Sequence, residues 1–243
     1  MSSQFKGFIT VRSSSKRLPR KCFLPFGDET ILSHVIKRSI WYDIEPIVCT
    51  TTNKEDDEIE KIAQANGVTT FRGSDINKLK RWSDCAEHLN IINFHTIDAD
   101  DPFFDGDQMR ESMHLLNSGD FDLISPTKSS SNGGASVGYS LTSNIVKKCV
   151  NELPEDTDTE MMWNFLERLP GLRIKQLIDS EPDINIRLTL DYEEDYWLLE
   201  SVRRILGNLA TRREIINLFE SNPDLFKINW FRNLEWKKAQ QQK

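Results

Sequence analysis

The chain has 243 residues, enough for one large α/β domain or two small ones and for a sizeable buried core. With 38% hydrophobic and 28% charged residues it reads as globular rather than disordered. Its net charge of −7 argues against general nucleic-acid binding, which needs a basic surface, but leaves room for local basic pockets.

No apolar run approaches the ~20 residues of a membrane span, and the opening MSSQFKGFITV is too short in apolar residues for a signal peptide. Cys22, Cys49, Cys85 and Cys149 are scattered without a CxxC pair. That pattern speaks against a zinc knuckle or a disulfide framework and fits reduced thiols in the cytoplasm.

Residues 8–11 predict a buried strand that runs into a polar, basic loop at 12–21. Ile31, Leu32, Val35, Ile36 and Ile40 share one helical face. Residues 47–50 predict a second strand, and 55–66 a helix stopped at Gly67. A strand at 68–71, a helix at 79–90 and a strand at 91–97 follow, the last ending in an acidic turn. Residues 108–117 predict a helix stopped near Gly119, and 122–125 another strand. The rhythm breaks at 127–134, a Ser- and Gly-rich stretch suited to a lid. Beyond it, strands are predicted at 135–141, 173–178 and 186–190, and helices at 143–153, 193–207 and 212–220. Residues 225–236 hold Phe226, Trp230, Phe231 and Trp236, suited either to docking on the core or to a subunit contact. The glutamine-rich tail is predicted to fray.

This alternation predicts an α/β fold, a three-layer α/β/α arrangement of Rossmann-like type on a mainly parallel sheet with right-handed crossovers. Ligands in such sheets sit beyond the carboxyl ends of the strands. Residues 1–225 are expected to form a single domain. Within it, 127–180 would be an acceptor-binding, lid or dimerisation insertion, and 226–243 an aromatic extension with a frayed tail.

Three segments carry chemistry. The loop 12–21 reads Arg-Ser-Ser-Ser-Lys-Arg-Leu-Pro-Arg-Lys, five cations and three hydroxyls directly after a strand. Backbone N–H groups, forked guanidinium donors and compact ammonium charges suit a polyphosphate. The plain alternative is a solvated basic loop, and no Walker A pattern is present. In the second segment Asp98, Asp100, Asp101 and Asp105 crowd one turn. Like charges repel there, and a cation such as Mg²⁺ would remove that cost. The alternative is an acidic surface turn that caps the next helix. In the third, Asp191 is either an N-cap completed by Glu194 in a capping box, or a second carboxylate for a metal.

Arg12-x-x-Ser-x-Arg17-Leu-Pro-x-Lys21, with the Leu-Pro-Phe-Gly…Ile-Leu-x-His-Val-Ile-x-Arg run after it, resembles the opening of the CMP-sugar cytidylyltransferases. That group includes the CMP-3-deoxy-manno-octulosonate and CMP-acylneuraminate synthetases and the spore-coat polysaccharide cytidylyltransferases. The resemblance implies the nucleotide-diphospho-sugar transferase fold. It also implies that Arg12, Arg17 and Lys21 hold the CTP phosphates, with Ser13, Ser14 and Ser15 alongside. Arg20 stands where the family usually has Gly. Ala99-Asp100-Asp101-Pro102 is similar to the family's Gly-Asp-x-Pro turn, which makes Asp100 a metal ligand. Arg187-x-Thr-x-Asp191-x-x-x-Asp195 is similar to a second family segment. It makes Asp191 the other ligand and turns Arg187 to the phosphates or acceptor. Arg72-Gly73-Ser74, followed by Leu79-Lys80-Arg81-Trp82, resembles a region near the nucleotide, so Arg72, Ser74 and Arg81 are candidates for base or ribose contacts.

The implied activity is Mg²⁺-dependent transfer of CMP from CTP to a small, acidic acceptor, with Arg12, Lys21, Asp100 and Asp191 at its centre. Lys128 and Arg187 would face the acceptor, whose pocket is expected from 128–138 and 156–163. The resemblance is compatible with a homodimer, and no nucleic-acid or membrane partner is expected. His34 and His95 join no base constellation and are expected to be structural. Two other readings stay open. One is a nucleotide-sugar-dependent glycosyltransferase using Asp98-Ala99-Asp100 as a DxD motif; the other is an inactive nucleotide-binding relative.

Overall fold

A computed structural model describes residues 5–128, 130, 133–179 and 184–241. The chain runs through β1 (Phe5–Thr10), β2 (Pro25–Phe26), β3 (Glu29–Thr30), α1 (Ile31–Trp41), β4 (Ile44–Thr51) and α2 (Asp57–Ala65). Then come β5 (Thr69–Gly73), α3 (Lys78–His88), β6 (Asn93–Asp98), α4 (Gly106–Asn117), β7 (Leu123–Ser125) and β8 (Ser140–Thr142). The remainder is α5 (Ser143–Asn151), α6 (Trp163–Leu166), β9 (Ile174–Gln176), α7 (Glu193–Leu206), α8 (Arg212–Ser221) and α9 (Arg232–Gln241).

Seven strands form one sheet in the order β5-β4-β1-β6-β8-β7-β9. The first four are mutually parallel, β8 is antiparallel to both neighbours, and β7 and β9 are parallel. Side-chain alternation along β1 builds the layers. Ile9 points to one face with Leu32 and Val35 of α1, Ile59 of α2 and Met109 of α4. Phe8 points to the other with Leu79 and Trp82 of α3 and Ile145 of α5. The sheet is thus buried on both faces, as expected for a parallel α/β sheet. Gly7 lies where β1 is squeezed between β4 and β6. A Cβ there would sit 2.7 Å from Ile44 Cγ2 and 2.8 Å from Ile97 Cδ1, so only glycine fits.

A third core joins α7 and α8 to the rest through Leu198, Leu199, Ile215 and Phe219, packed on Phe26, Ile31 and Phe103. The predicted strand at 186–190 belongs to this core but pairs with no strand. Leu188 and Leu190 donate their N–H groups to the carbonyls of Gly133 and Asp100, at 2.8 and 2.7 Å. The segment is extended because Leu188 and Leu190 are buried, while its backbone is satisfied by loops. The strand predicted at 135–141 shrinks to β8, because Gly138 adopts φ 80° and a Cβ there would lie 2.0 Å from the Thr96 carbonyl oxygen. The C-terminal segment forms the helix α9, which aromatic content alone does not predict. The lid expected at 127–134 and the insertion expected at 127–180 fall partly, and the end of the tail wholly, outside the described residues. Among the described residues, no helix is long and apolar enough to cross a membrane.

Candidate active site

Thr10 pairs in register with Asp98, so β1 and β6 end side by side. The basic loop and the acidic turn therefore leave the sheet together at its carboxyl edge. They open onto a cavity of about 1140 Å³, walled also by α3, by residues 158–167, and by Asp191, Trp236 and Lys237.

At its centre is Lys21. Its Nζ donates to Asp100 Oδ2 at 2.6 Å, to Asp191 Oδ1 at 2.9 Å and to the Leu190 carbonyl at 2.7 Å. Arg17 Nη2 adds a contact to Asp191 Oδ1 at 2.7 Å. Residues 79 and 170 positions from Lys21 thus meet on one ammonium group. Burial opposes the charge on Lys21, but Asp100 and Asp191 outweigh it and hold its pKa above the ordinary value. Burial would likewise raise Asp191, yet Lys21 and Arg17 press its carboxyl well below the usual carboxylate range.

Asp191 is not the helix cap. Tyr192 precedes α7, and Asp195 accepts from the N–H groups of Asp191 and Tyr192 at 2.9 and 3.0 Å. With that duty taken by Asp195, the Asp191 side chain is left for the cavity. Asp101, in the turn whose alternative reading was an acidic surface turn capping the next helix, is buried instead. One of its oxygens accepts from Ser136 N–H at 2.9 Å, and the Thr189 hydroxyl lies beside the carboxyl. Burial beside Asp100 and Asp98 pushes its pKa well above the ordinary value.

The basic loop is tied down from beneath. Ser13 donates its N–H and hydroxyl to Asp56 Oδ1 at 2.8 and 2.7 Å, so it faces inward, while Ser14 and Ser15 line the cavity. Burial opposes the Asp56 charge, but hydrogen bonds from Thr51 and Ser13 outweigh it and lower its pKa. Arg12 pairs with Glu160 at 3.1 Å across the cavity mouth. Arg20 takes up a left-handed conformation, φ 57° and ψ 25°. That is the conformation glycine adopts without cost. Its guanidinium pairs with Glu58 at 2.5 Å and stacks on Phe23 at 4.4 Å, outside the cavity lining.

At the other end, Arg81 lines the cavity and donates to the Ser74 carbonyl at 2.7 Å. Lys78 lies 3.8 Å from Asp98 and over the Trp82 ring at 5.2 Å. Asp98 thus faces Lys78 rather than Asp191, and burial together with Asp100 and Glu160 raises its pKa. Four expected contacts sit elsewhere. Arg72 is held by Asp57 and Glu60 at 2.7 and 3.1 Å. Ser74 accepts from Asn77 N–H at 3.0 Å, ahead of α3. Lys128 is exposed and Arg187 is fully buried on Asp195; none of the four lines the cavity. No motif singled out Asp56 or Lys78; Glu160 falls in the 156–163 segment expected to line the acceptor pocket, and Asp195 closes the motif that begins at Arg187 but had no role assigned to it. A carboxylate just after β4, on the same strand-end rim, was the available signal for Asp56.

The histidines are structural. His34 bonds the Pro102 carbonyl at 2.8 Å and His95 the Ser140 hydroxyl at 2.7 Å. Burial lowers both pKa values to about 4, so both rings are neutral near pH 7. All four cysteines are buried and free.

Known proteins resemble the chain in sequence and in fold. The spore coat polysaccharide biosynthesis protein SpsF of Bacillus subtilis is 26% identical over 229 residues, covering 89% of this chain and 94% of that protein. A cytidylyltransferase from Leptospira borgpetersenii superposes with a TM-score of 0.79 at 24% identity, over 92% of this chain and 96% of that one. A CMP:2-keto-3-deoxy-manno-octonic acid synthetase complexed with CTP superposes with a TM-score of 0.65 at 12% identity, over 84% and 99%. These two structural likenesses bear on the fold, which is that of the nucleotide-diphospho-sugar transferases. The sequence model for "Cytidylyltransferase" matches residues 7–150, the stretch that carries the basic loop, the acidic turn and α3. With more than half its length matched, the chain belongs to the cytidylyltransferase family of nucleotidyltransferases.

Proposed function

We propose that the chain transfers CMP from CTP to a hydroxyl of a small, acidic sugar or related acid, releasing pyrophosphate with the help of Mg²⁺. The observation that supports this best is the meeting of Lys21, Arg17, Asp100 and Asp191 at the mouth of two adjacent strands. A cation already bridges the two carboxylates, so their oxygens converge on one point. Two carboxylates completed by phosphate and water oxygens are the donor set Mg²⁺ favours. A bound ion would neutralise the triphosphate and acidify the attacking hydroxyl.

The chain's own groups do the rest. Arg12, Arg17 and Lys21 bind the triphosphate and offset charge on the departing pyrophosphate, joined by the loop around Ser14 and Ser15. The acceptor hydroxyl oxygen attacks the α-phosphorus and gives up its proton to solvent as the bond from the α-phosphorus to the bridging oxygen of the leaving pyrophosphate breaks, and the wall at 158–167 holds the acceptor in line. Ligand entry requires Lys21 to give up part of its carboxylate contacts in exchange for phosphate. Residues 127–180 as an acceptor insertion, a homodimer and a cytoplasmic location belong to the same proposal.

The test is pyrophosphate release from CTP and Mg²⁺ with a panel of acidic sugars and phosphonates. Release with one acceptor class is expected. Transfer from UDP-sugars with no pyrophosphate from any acceptor would move the assignment to glycosyl transfer.

A further inference from the structure

The C-terminal residues 229–236 pack behind the turn that presents Asp191. Arg187, fully buried, forks onto Asp195 with Nε and Nη2 at 2.8 and 2.9 Å. The same carboxylate fixes the backbone of Asp191 and Tyr192. One ion pair therefore sets the path of the Asp191 turn. Three side chains from the C-terminus enclose that pair. Asn229 Nδ2 donates to the Arg187 carbonyl at 3.0 Å and to Asp195 Oδ1 at 2.9 Å. Asn233 Oδ1 accepts from Arg187 Nη1 at 3.4 Å. The Trp236 ring lies 5.5 Å from the Arg187 guanidinium carbon and also lines the cavity.

Ordinary apolar docking does not explain this packing. Leu234 and Phe231 are 70% and 53% exposed, while Asn229 and Asn233 are 0% and 3% exposed. The segment buries its amides and leaves its aliphatic and phenyl groups in water. The Arg187 Nε, Nη1 and Nη2 atoms and the Asn229 amide nitrogen all find acceptors, although Asn229 Oδ1 has no hydrogen-bond partner, and truncating Asn229 or Asn233 would strip contacts from a buried ion pair.

We propose that Asn229, Asn233 and Trp236 are positioning residues. The C-terminal segment locks the Arg187–Asp195 pair and, through it, holds the Asp191 carboxylate where it can ligate the metal. This rests on the functional reading above. Outer-shell partners of metal ligands are commonly worth 10–100-fold in metal affinity.

The experiment is Mn²⁺ binding to the full-length protein with CTP, followed by electron paramagnetic resonance. Wild type, Trp236→Ala, Trp236→Phe and Asn233→Ala are compared, with thermal melts in parallel. Trp236→Ala and Asn233→Ala are expected to weaken Mn²⁺ about 10-fold or more. Trp236→Phe should restore binding, and kcat should fall in the alanine variants with little change in the KM for CTP. Folded alanine variants that bind Mn²⁺ as tightly as wild type overturn the proposal. Should Trp236→Ala unfold, Asn233→Ala decides on the same criterion. A wild type that binds no Mn²⁺ in the presence of CTP overturns the functional reading, and the proposal falls with it. Normal wild-type binding with undisturbed variants overturns the proposal alone.

Discussion

Lys21 makes three hydrogen bonds at once, to Asp100, Asp191 and the Leu190 carbonyl, and so ties together two distant parts of the chain, the turn at Asp100 and the adjacent pair Leu190 and Asp191. Removing one carboxylate changes the site's charge without changing its shape. Asp100→Asn should therefore cut turnover about 10³-fold while circular dichroism stays unchanged, since a lost metal ligand removes charge stabilisation in the transition state. Near-normal turnover in that variant contradicts the metal assignment. Arg20 gives the opposite expectation. Its left-handed backbone carries a steric cost, and its side chain faces Glu58 and Phe23 rather than the cavity. Arg20→Gly relieves the strain and loses an exposed pair worth little. Steady-state kinetics should show kcat and the KM for CTP within about twofold of wild type, given that the exposed pair contributes at most ~1 kcal/mol. A large rise in KM would make Arg20 a phosphate contact. Residue type and motif pointed to Arg17, Lys21, Asp100 and Asp191, four side chains that meet in the fold, and their roles there are part of the proposal. Motifs did not place Arg72 and Arg187, because nothing in a local motif says which distant acid a guanidinium will meet. Arg72 met Asp57 and Glu60 one helix away, and Arg187 met Asp195.

Helices and strands were most legible where hydrophobic period and capping residues agreed, as in α1, where the Thr30 hydroxyl accepts from Ser33 N–H at 3.2 Å. They were least legible where backbone bonds go to loops. The 186–190 stretch alternates like a strand because Leu188 and Leu190 are buried, but its partners are Gly133 and Asp100. Capping shifted for a related reason: Asp191 with Glu194 was the pair expected at the start of α7, but Tyr192 is the cap and Asp195 turns back on the backbone. Two elements also hold neutral histidines, His34 on α1 and His95 on β6. Burial holds both at about 4, below the ordinary value of 6.5. The unfolded chain then binds more protons than the folded one between those values, so this contribution is complete above pH 6.5 and is lost as pH falls toward 4. Asp101, held high by burial, contributes with the opposite sign. A variant comparison isolates the histidine. The destabilisation caused by His34→Gln in urea titrations should shrink by about 2 kcal/mol between pH 7 and pH 5. A constant difference across that range would mean that His34 is not held neutral.

For the whole molecule, alternating strand and helix patterns predicted a mainly parallel sheet with the first loop and the acidic turn on one rim, and the order β5-β4-β1-β6 places β1 and β6 side by side there. β8 was legible only as the end of a longer strand predicted at 135–141; its antiparallel direction and its three-residue length, set by the glycine turn at Gly138, were not. The arrival of α9 beside Asp191 was illegible too, because it depends on buried amides that leave no hydrophobic period. The central claim is that the basic loop and two distant aspartates share one metal–triphosphate site. Anomalous diffraction from crystals grown with Mn²⁺ and CTP tests it most directly. A manganese peak is expected between Asp100 and Asp191, with the triphosphate lying along Arg12, Arg17 and Lys21. A peak held by other residues, or a nucleotide seated away from that loop, would contradict it.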